Sequence, residues 1–185
     1  ITGAADASKV TVDASGSVTE GNVGDAAVTA TGSLSILDVD ADDDPVFADV
    51  TSAAGDQGYG SFSLSNGTWT YVLDQSAVQG LDANAVETDS YTFTASDGTE
   101  QKITVTIIGT NGAPTWNSNV GPLTIDEDEP FNFDLATISS DEENDTLSYK
   151  VLNGPNWLQS DGAILSGTPA NADVGTETVL VQVSD

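Results

Sequence analysis

The stretch GSFSLSNGTWTYVL (60–73) narrows the possible folds of this 185-residue chain more than any other. Phe62 and Leu64 alternate with serines, and Trp69, Tyr71 and Leu73 alternate in their turn beyond Asn66-Gly67. A period of two places alternate side chains on one face of a strand. Asn-Gly between two such runs is the strongest short hairpin signal, because a type I′ turn needs positive φ at both central residues. The stretch reads as a β-hairpin with one buried face.

The alternation recurs in SKVTVD (8–13), DSYTFTAS (89–96), QKITVTII (101–108), LSYKVL (147–152) and TETVLVQVS (176–184). Thr, Val, Tyr, Phe and Ile fill these runs, as half-buried strands require. No stretch makes a convincing helix; SAVQGLDANAVE (76–87) has room for a single turn before Gly80 and Asp82 break it. Short strands between turn signals predict an all-β chain built as β-sandwiches. In IIGTNGAPTW (107–116) a strand runs out into Gly, Asn, Gly and Pro and a new pattern begins, which sets domains at 1–112 and 113–185. Both halves follow one plan: an early acidic residue (Glu20; Glu127 and Glu129), an acidic knot (38–44; 141–145) and a late strand running into Asp. They read as two sandwiches of related design.

Charge excludes whole classes of partner. The chain has 30 acidic residues against three Lys, with no Arg or His, for a net charge of −27. Phosphate backbones are repelled, so nucleic acid is ruled out as a partner, and anionic membrane surfaces nearly so. No apolar run is long enough for membrane insertion as a helix. There is no Cys, so a secreted domain of this size needs another staple, and metal is the common one. Met is absent even at position 1, and no signal peptide is present, which points to an interior piece of a longer chain.

Of the 30 acidic residues 22 are Asp, a short turn-former and a compact oxygen ligand. Calcium takes six to eight oxygens from carboxylates, carbonyls and water, and Asp clusters in turns suit it. Asp38, Asp40 and Asp42 open like an EF-hand loop, but Asp43 stands where Gly is required, Val46 replaces a ligand and Pro45 intrudes. The Gly-rich nonapeptide of calcium-binding β-rolls is absent. Zinc and copper are disfavoured without Cys or His. A calcium site assembled from several segments remains, weighed against the plainer reading of solvated turns.

Several motifs carry a family resemblance. VTEG (18–21), ILDVDA (36–41), the 58–74 stretch, VQGLDAN (78–84), YTFTASDGT (91–99) and VTIIGTNGAP (105–114) make residues 1–112 resemble a VCBS repeat of large bacterial surface proteins. DEENDTLSYKV (141–151), GPNWLQSDGAILSGTPANADVGT (154–176) and VQVSD (181–185) make residues 113–185 resemble a dystroglycan-type cadherin-like, immunoglobulin-like module. The resemblance implies two tandem immunoglobulin/cadherin-like β-sandwich modules, secreted or on the cell surface, with Ca2+ as cofactor and neighbouring repeats of the same chain as partners. It implies calcium at module junctions, with ligands at Glu20, Glu87 or Asp89, and Asn111 from the first module. Asp141, Asp145 and Asp185 come from the second, with Glu127 and Asp173 as further acidic candidates. Asp38, Asp40 and Asp97 would face a module preceding Ile1. The linker departs from the pattern, since Gly112 stands where an acidic residue usually follows the Asn.

The function that follows is mechanical: calcium-binding repeat modules of a bacterial surface adhesin, stiffening and extending the chain for adhesion or biofilm formation. The alternative is a pair of calcium-dependent carbohydrate-binding modules of a secreted polysaccharide-active protein, with polysaccharide or cell-surface glycan as partner and Trp116 and Tyr59 as ligand-binding aromatics. Trp69 and Trp157 read as core residues. Asn66-Gly67-Thr68 and Asn144-Asp145-Thr146 match glycosylation sequons but are better explained as turns. Without His, Cys, Arg or a nucleophile elbow, the chain does not read as an enzyme. An immunoglobulin-like module needs a strand after VLVQVSD, so the second domain is expected to lack its last strand and to leave Glu177–Ser184 with an open edge.

Overall fold

The first half of the chain forms eight strands: β1 (Lys9–Val12), β2 (Ser15–Thr19), β3 (Thr29–Leu37), β4 (Val50–Ala54), β5 (Gly60–Ser65), β6 (Thr68–Leu73), β7 (Val86–Thr94) and β8 (Glu100–Ile108). These come from a computed structural model that describes residues 6–40 and 44–185. The strands form two sheets, in the order β1-β3-β6-β5-β4 and β2-β8-β7. β2 runs parallel to β8, and the other pairings are antiparallel. The chain divides into two units, Ile1–Asn111 and Gly112–Asp185.

The hairpin forms as its sequence dictates. Ser65 pairs with Thr68 across a two-residue turn, in which Asn66 and Gly67 have φ of 48° and 75°. Phe62, Leu64, Trp69 and Tyr71 are then buried from one sheet against Phe93, Ile103, Val105 and Ile107 from the other. Trp69 is completely buried, and its indole N–H donates to the Asp13 carbonyl at 2.8 Å. Two glycines make room for it. A Cβ on Gly32 would lie 2.7 Å from the indole, and one on Gly16 3.0 Å from it. A single short 3-10 turn, Gln75–Ala77, occupies part of the stretch with room for a turn, capped by Asp74.

The second unit holds β9 (Thr115–Trp116), β10 (Phe131–Asp134), β11 (Ser139–Ser140), β12 (Ser148–Asn153), β13 (Gln159–Asp161), β14 (Ile164–Gly167) and β15 (Leu180–Ser184). They pair as β10-β14-β13, β11-β9 and β12-β15. Leu135 and Leu165 are its buried large apolar side chains, whereas Leu123, Val174 and Leu180 are more than half exposed. Trp157 is half-buried and meets Phe131 edge to face at 6.1 Å. The last strand is shorter than the expected Glu177–Ser184. Among the described residues β15 pairs with β12 alone.

Candidate metal centre

The acidic knot of the second unit is wound around one carboxylate. Asp141 Oδ1 accepts from the backbone N–H groups of Glu143 and Asp145, each at 3.1 Å. Asn144, with φ of 63°, turns the chain between them, which Asn tolerates. Glu143 Oε1 accepts from Gly112 N–H at 3.0 Å. The second oxygen of each carboxylate, Asp141 Oδ2 and Glu143 Oε2, is buried with no hydrogen-bond donor. Such oxygens are expensive to leave unpaired, and two of them in one knot repel each other. A cation held by these two carboxylates would supply the missing partner. A further buried atom without a partner among the described residues, Gln75 Nε2, is itself a donor and offers a cation nothing.

Gly112 acquires a reason here. Its N–H serves Glu143, and a Cβ would crowd both carboxylate oxygens at 3.0 Å. Glu143 is the residue that sequence reasoning missed. Asp145 contributes its backbone N–H to the knot and exposes its side chain. Among the described residues no three acidic side chains converge closely enough to hold an ion by themselves. Asp141 and Glu143 are therefore a half-set of hard oxygen ligands that carbonyls and water would complete, which suits calcium.

In the first unit a second group gathers around Ser8. Its hydroxyl lies 3.1 Å from Asp38 Oδ2 and 2.5 Å from Asp97 Oδ2. Asp38 Oδ1 accepts from Asp40 N–H at 2.8 Å, and Asp40 Oδ2 accepts from Asp6 N–H at 2.8 Å. Segments distant in sequence thus bring Asp38 and Asp97 to one hydroxyl, and Asp40 joins them through its N–H on Asp38. Asp42 and Asp43 lie outside the described residues. The Ser8 hydroxyl first, and then the Thr99 N–H, holds the Asp97 carboxyl below its ordinary value. A depressed carboxylate favours the folded form above its unfolded pKa, and that contribution is lost as pH falls through the folded value. Ser8→Ala is expected to move the Asp97 midpoint up toward the ordinary carboxylate range, as read by carboxyl NMR titration.

Glu20, at the end of β2, is also buried. It accepts from Gln79 Nε2 at 3.1 Å and from Thr110 N–H at 3.3 Å. Glu87 is exposed on β7, and Asn111 and Asp185 are exposed.

Asp89 has a different role from the metal ligation expected of it. It pairs in register with Val105 on the core-facing side of β7 and is 0% exposed. Oδ1 accepts from Gln57 N–H (3.0 Å) and Ser90 N–H (2.9 Å), and Oδ2 from Tyr59 N–H (3.1 Å) and the Tyr71 hydroxyl (3.2 Å). Burial, and then this carboxylate, pushes the Tyr71 phenol above its ordinary value. Asp89 is a structural anchor for the 55–60 loop. Glu127 and Asp173 line an apolar groove that includes none of Asp141, Glu143 and Asp145. Asp173 accepts from Ala170 N–H at 2.8 Å and so caps a short turn. Trp116 is 41% exposed, 6.4 Å from the Tyr149 ring, while Tyr59 packs against the first unit's core.

Comparison with known families decides the class of the chain. Residues 5–109 match the model of the bacterial cadherin-like domain. The chain belongs to the bacterial cadherin-like domain family. Residues 111–185 match the bacterial Ig domain, so a cadherin-like and an Ig-like domain stand in tandem in an all-β chain. The name matched over the first part is cadherin-like rather than VCBS. Domains of both kinds are typically extracellular, non-catalytic modules, and cadherin-like domains generally bind calcium. Among the described residues no helix is long and apolar enough to cross a membrane.

No curated protein matches the chain. Among solved structures, an endo-fucoidan hydrolase from glycoside hydrolase family 107 is similar at 24% identity and a TM-score of 0.35, over 91% of this chain and 25% of that one. Protocadherin Gamma B2 extracellular cadherin domains 3-6 are similar at 17% identity and a TM-score of 0.45, over 95% of this chain and 47% of that one. The titin domains z1z2 in complex with telethonin show 13% identity and a TM-score of 0.33, over 98% and 94%. The cadherin-like chain spans between 25% and 29% of the length of the hydrolases it resembles. At these scores the likenesses carry no argument about activity.

Proposed function

We infer that this cadherin-like chain is a calcium-binding pair of extracellular modules from a bacterial surface adhesin, non-catalytic, with VCBS-type character in its first module. Its work is mechanical: calcium neutralises clustered carboxylates and stiffens a chain of such modules for adhesion or biofilm formation. The observation that supports this most is the pair of buried, unpartnered oxygens on Asp141 and Glu143. With calcium bound, these two carboxylates supply the hard anionic ligands and the ion supplies charge neutralisation. Asp38, Asp40 and Asp97 are the corresponding set in the first module, and Glu20, Glu87 and Asn111 remain further candidates. Neighbouring repeats of the same chain are the proposed partners.

Calcium is therefore expected to raise the melting temperature. A ligand present at a hundred times its dissociation constant stabilises by about 2.7 kcal/mol. Magnesium is expected to substitute poorly, because it demands a small octahedral cage. Differential scanning calorimetry in EDTA, in millimolar calcium and in millimolar magnesium checks both; equal melting temperatures in all three contradict the reading.

The exposure of Trp116 keeps a second reading in view, in which the modules bind polysaccharide through an aromatic surface. Glycan-array binding that Trp116→Ala abolishes would favour it.

A further inference from the structure

Two glutamines of the first unit hold the loop that follows β2. The 3-10 turn Gln75–Ala77, with the buried Val78 behind it, brings Gln75 and Gln79 against residues 20–23. Gln75 Oε1 accepts from Gly21 N–H at 3.0 Å, and Gln79 Oε1 accepts from Val23 N–H at 3.3 Å. Gln79 Nε2 donates to the Gly21 carbonyl at 2.7 Å and to Glu20 Oε1 at 3.1 Å. Both of its protons are thereby engaged.

The two oxygens that this amide bonds are a buried carboxylate oxygen and a backbone carbonyl oxygen. Calcium takes oxygens of both types. The amide meets the hydrogen-bonding need of Glu20 Oε1 but brings no net charge to a buried carboxylate, whose charged form burial disfavours. The arrangement is also incomplete. Gln75 is 8% exposed, and its Nε2 has no acceptor among the described residues. A Cβ on Gly21 would lie 3.5 Å from that nitrogen, so the unpaired donor faces the same loop. A buried donor without an acceptor destabilises the state that strands it. Water is a usual ligand of calcium, and a water carried in with the ion is an acceptor of the right kind.

We propose that Gln79 is a displaceable stand-in for the cation at Glu20. Without calcium its amide occupies Glu20 Oε1 and the Gly21 carbonyl, and ion binding at Glu20 requires it to release both. The proposal rests on the calcium reading and adds to it the residue that sets the affinity. The unlatched state is the one competent to bind, so the apparent affinity is scaled down by the fraction of chains that are unlatched.

The test uses the full chain, EDTA-stripped and titrated with calcium. The Glu20 carboxyl and Gln79 amide resonances report on this site separately from the knot at Asp141. In the wild type both are expected to shift together, with faster exchange of the Gln79 amide protons with water, while the exposed amide of Gln101 on β8 stays in place. Gln79→Ala removes the stand-in, so Glu20 should respond at about tenfold lower calcium. Gln79→Lys brings an ammonium to the same oxygens. The first unit should then melt higher in EDTA, and the calcium shift of Glu20 should be lost. A wild-type Glu20 carboxyl that calcium does not move overturns the calcium reading at this site, and the proposal with it. A wild-type shift at Glu20 with the Gln79 amide unmoved overturns the proposal alone. So does a Gln79→Ala midpoint that is unchanged or raised, which makes Gln79 a fixed brace of the loop, or a Gln79→Lys chain that responds as the wild type does.

Discussion

Asp89→Ala is expected to destabilise the first unit by about 3–5 kcal/mol, equally in EDTA and in calcium. The carboxylate is fully buried and accepts four hydrogen bonds. Its removal strands the Gln57 and Tyr59 N–H groups and the Tyr71 hydroxyl, and each donor left unsatisfied costs about 1–3 kcal/mol, part of which water recovers. Urea unfolding followed at the Trp69 indole resonance measures the loss. A destabilisation that appears only in calcium would return Asp89 to the metal ligands. Asp89→Asn keeps the shape and one acceptor, and should lose less.

Glu143→Gln should act with opposite signs in two buffers. Without calcium it replaces one of the two buried, unpartnered carboxylate oxygens in the knot by a neutral amide, so the second unit becomes more stable. With calcium it removes a charged ligand, so affinity at this unit falls on the order of tenfold or more. Asp141→Ala should lose the calcium response too. It also frees the Glu143 and Asp145 N–H groups, so it destabilises in both buffers. Melting curves of the second unit, with and without EDTA, separate these outcomes. If Glu143→Gln and the wild type respond to calcium alike, the knot is only a solvated turn.

How much of this was legible in the sequence follows from Trp69. The hairpin it belongs to was readable because the apolar positions of β5 and β6 are large and the turn is Asn-Gly. β2 and β3 were not read as strands. The inward positions that lie against the indole are Gly16 and Gly32, and room for the largest side chain erases the apolar signal of the strands beneath it. The parallel pairing of β2 with β8 leaves no local trace, because it joins residues about ninety apart.

The acidic residues show the same division. Asp38, Asp40 and Asp97 came from the family resemblance, and the fold brings Asp38 and Asp97 to Ser8 with Asp40 bonded to Asp38. Asp89 was misread although the alternation Asp89, Tyr91, Phe93, Ala95 puts it on the core-facing side. A carboxylate was read as surface chemistry where periodicity placed it inside. Glu143 lies within the quoted knot, but what fixes it is an N–H 31 residues away at Gly112, which no local pattern displays.

Calcium titration of the EDTA-stripped chain by isothermal calorimetry tests the central claim most directly. The account predicts saturable calcium binding that Glu143→Gln and Asp141→Ala diminish, with little heat from magnesium at the same concentrations. No saturable calcium heat, or a titration unchanged in both variants, would contradict it.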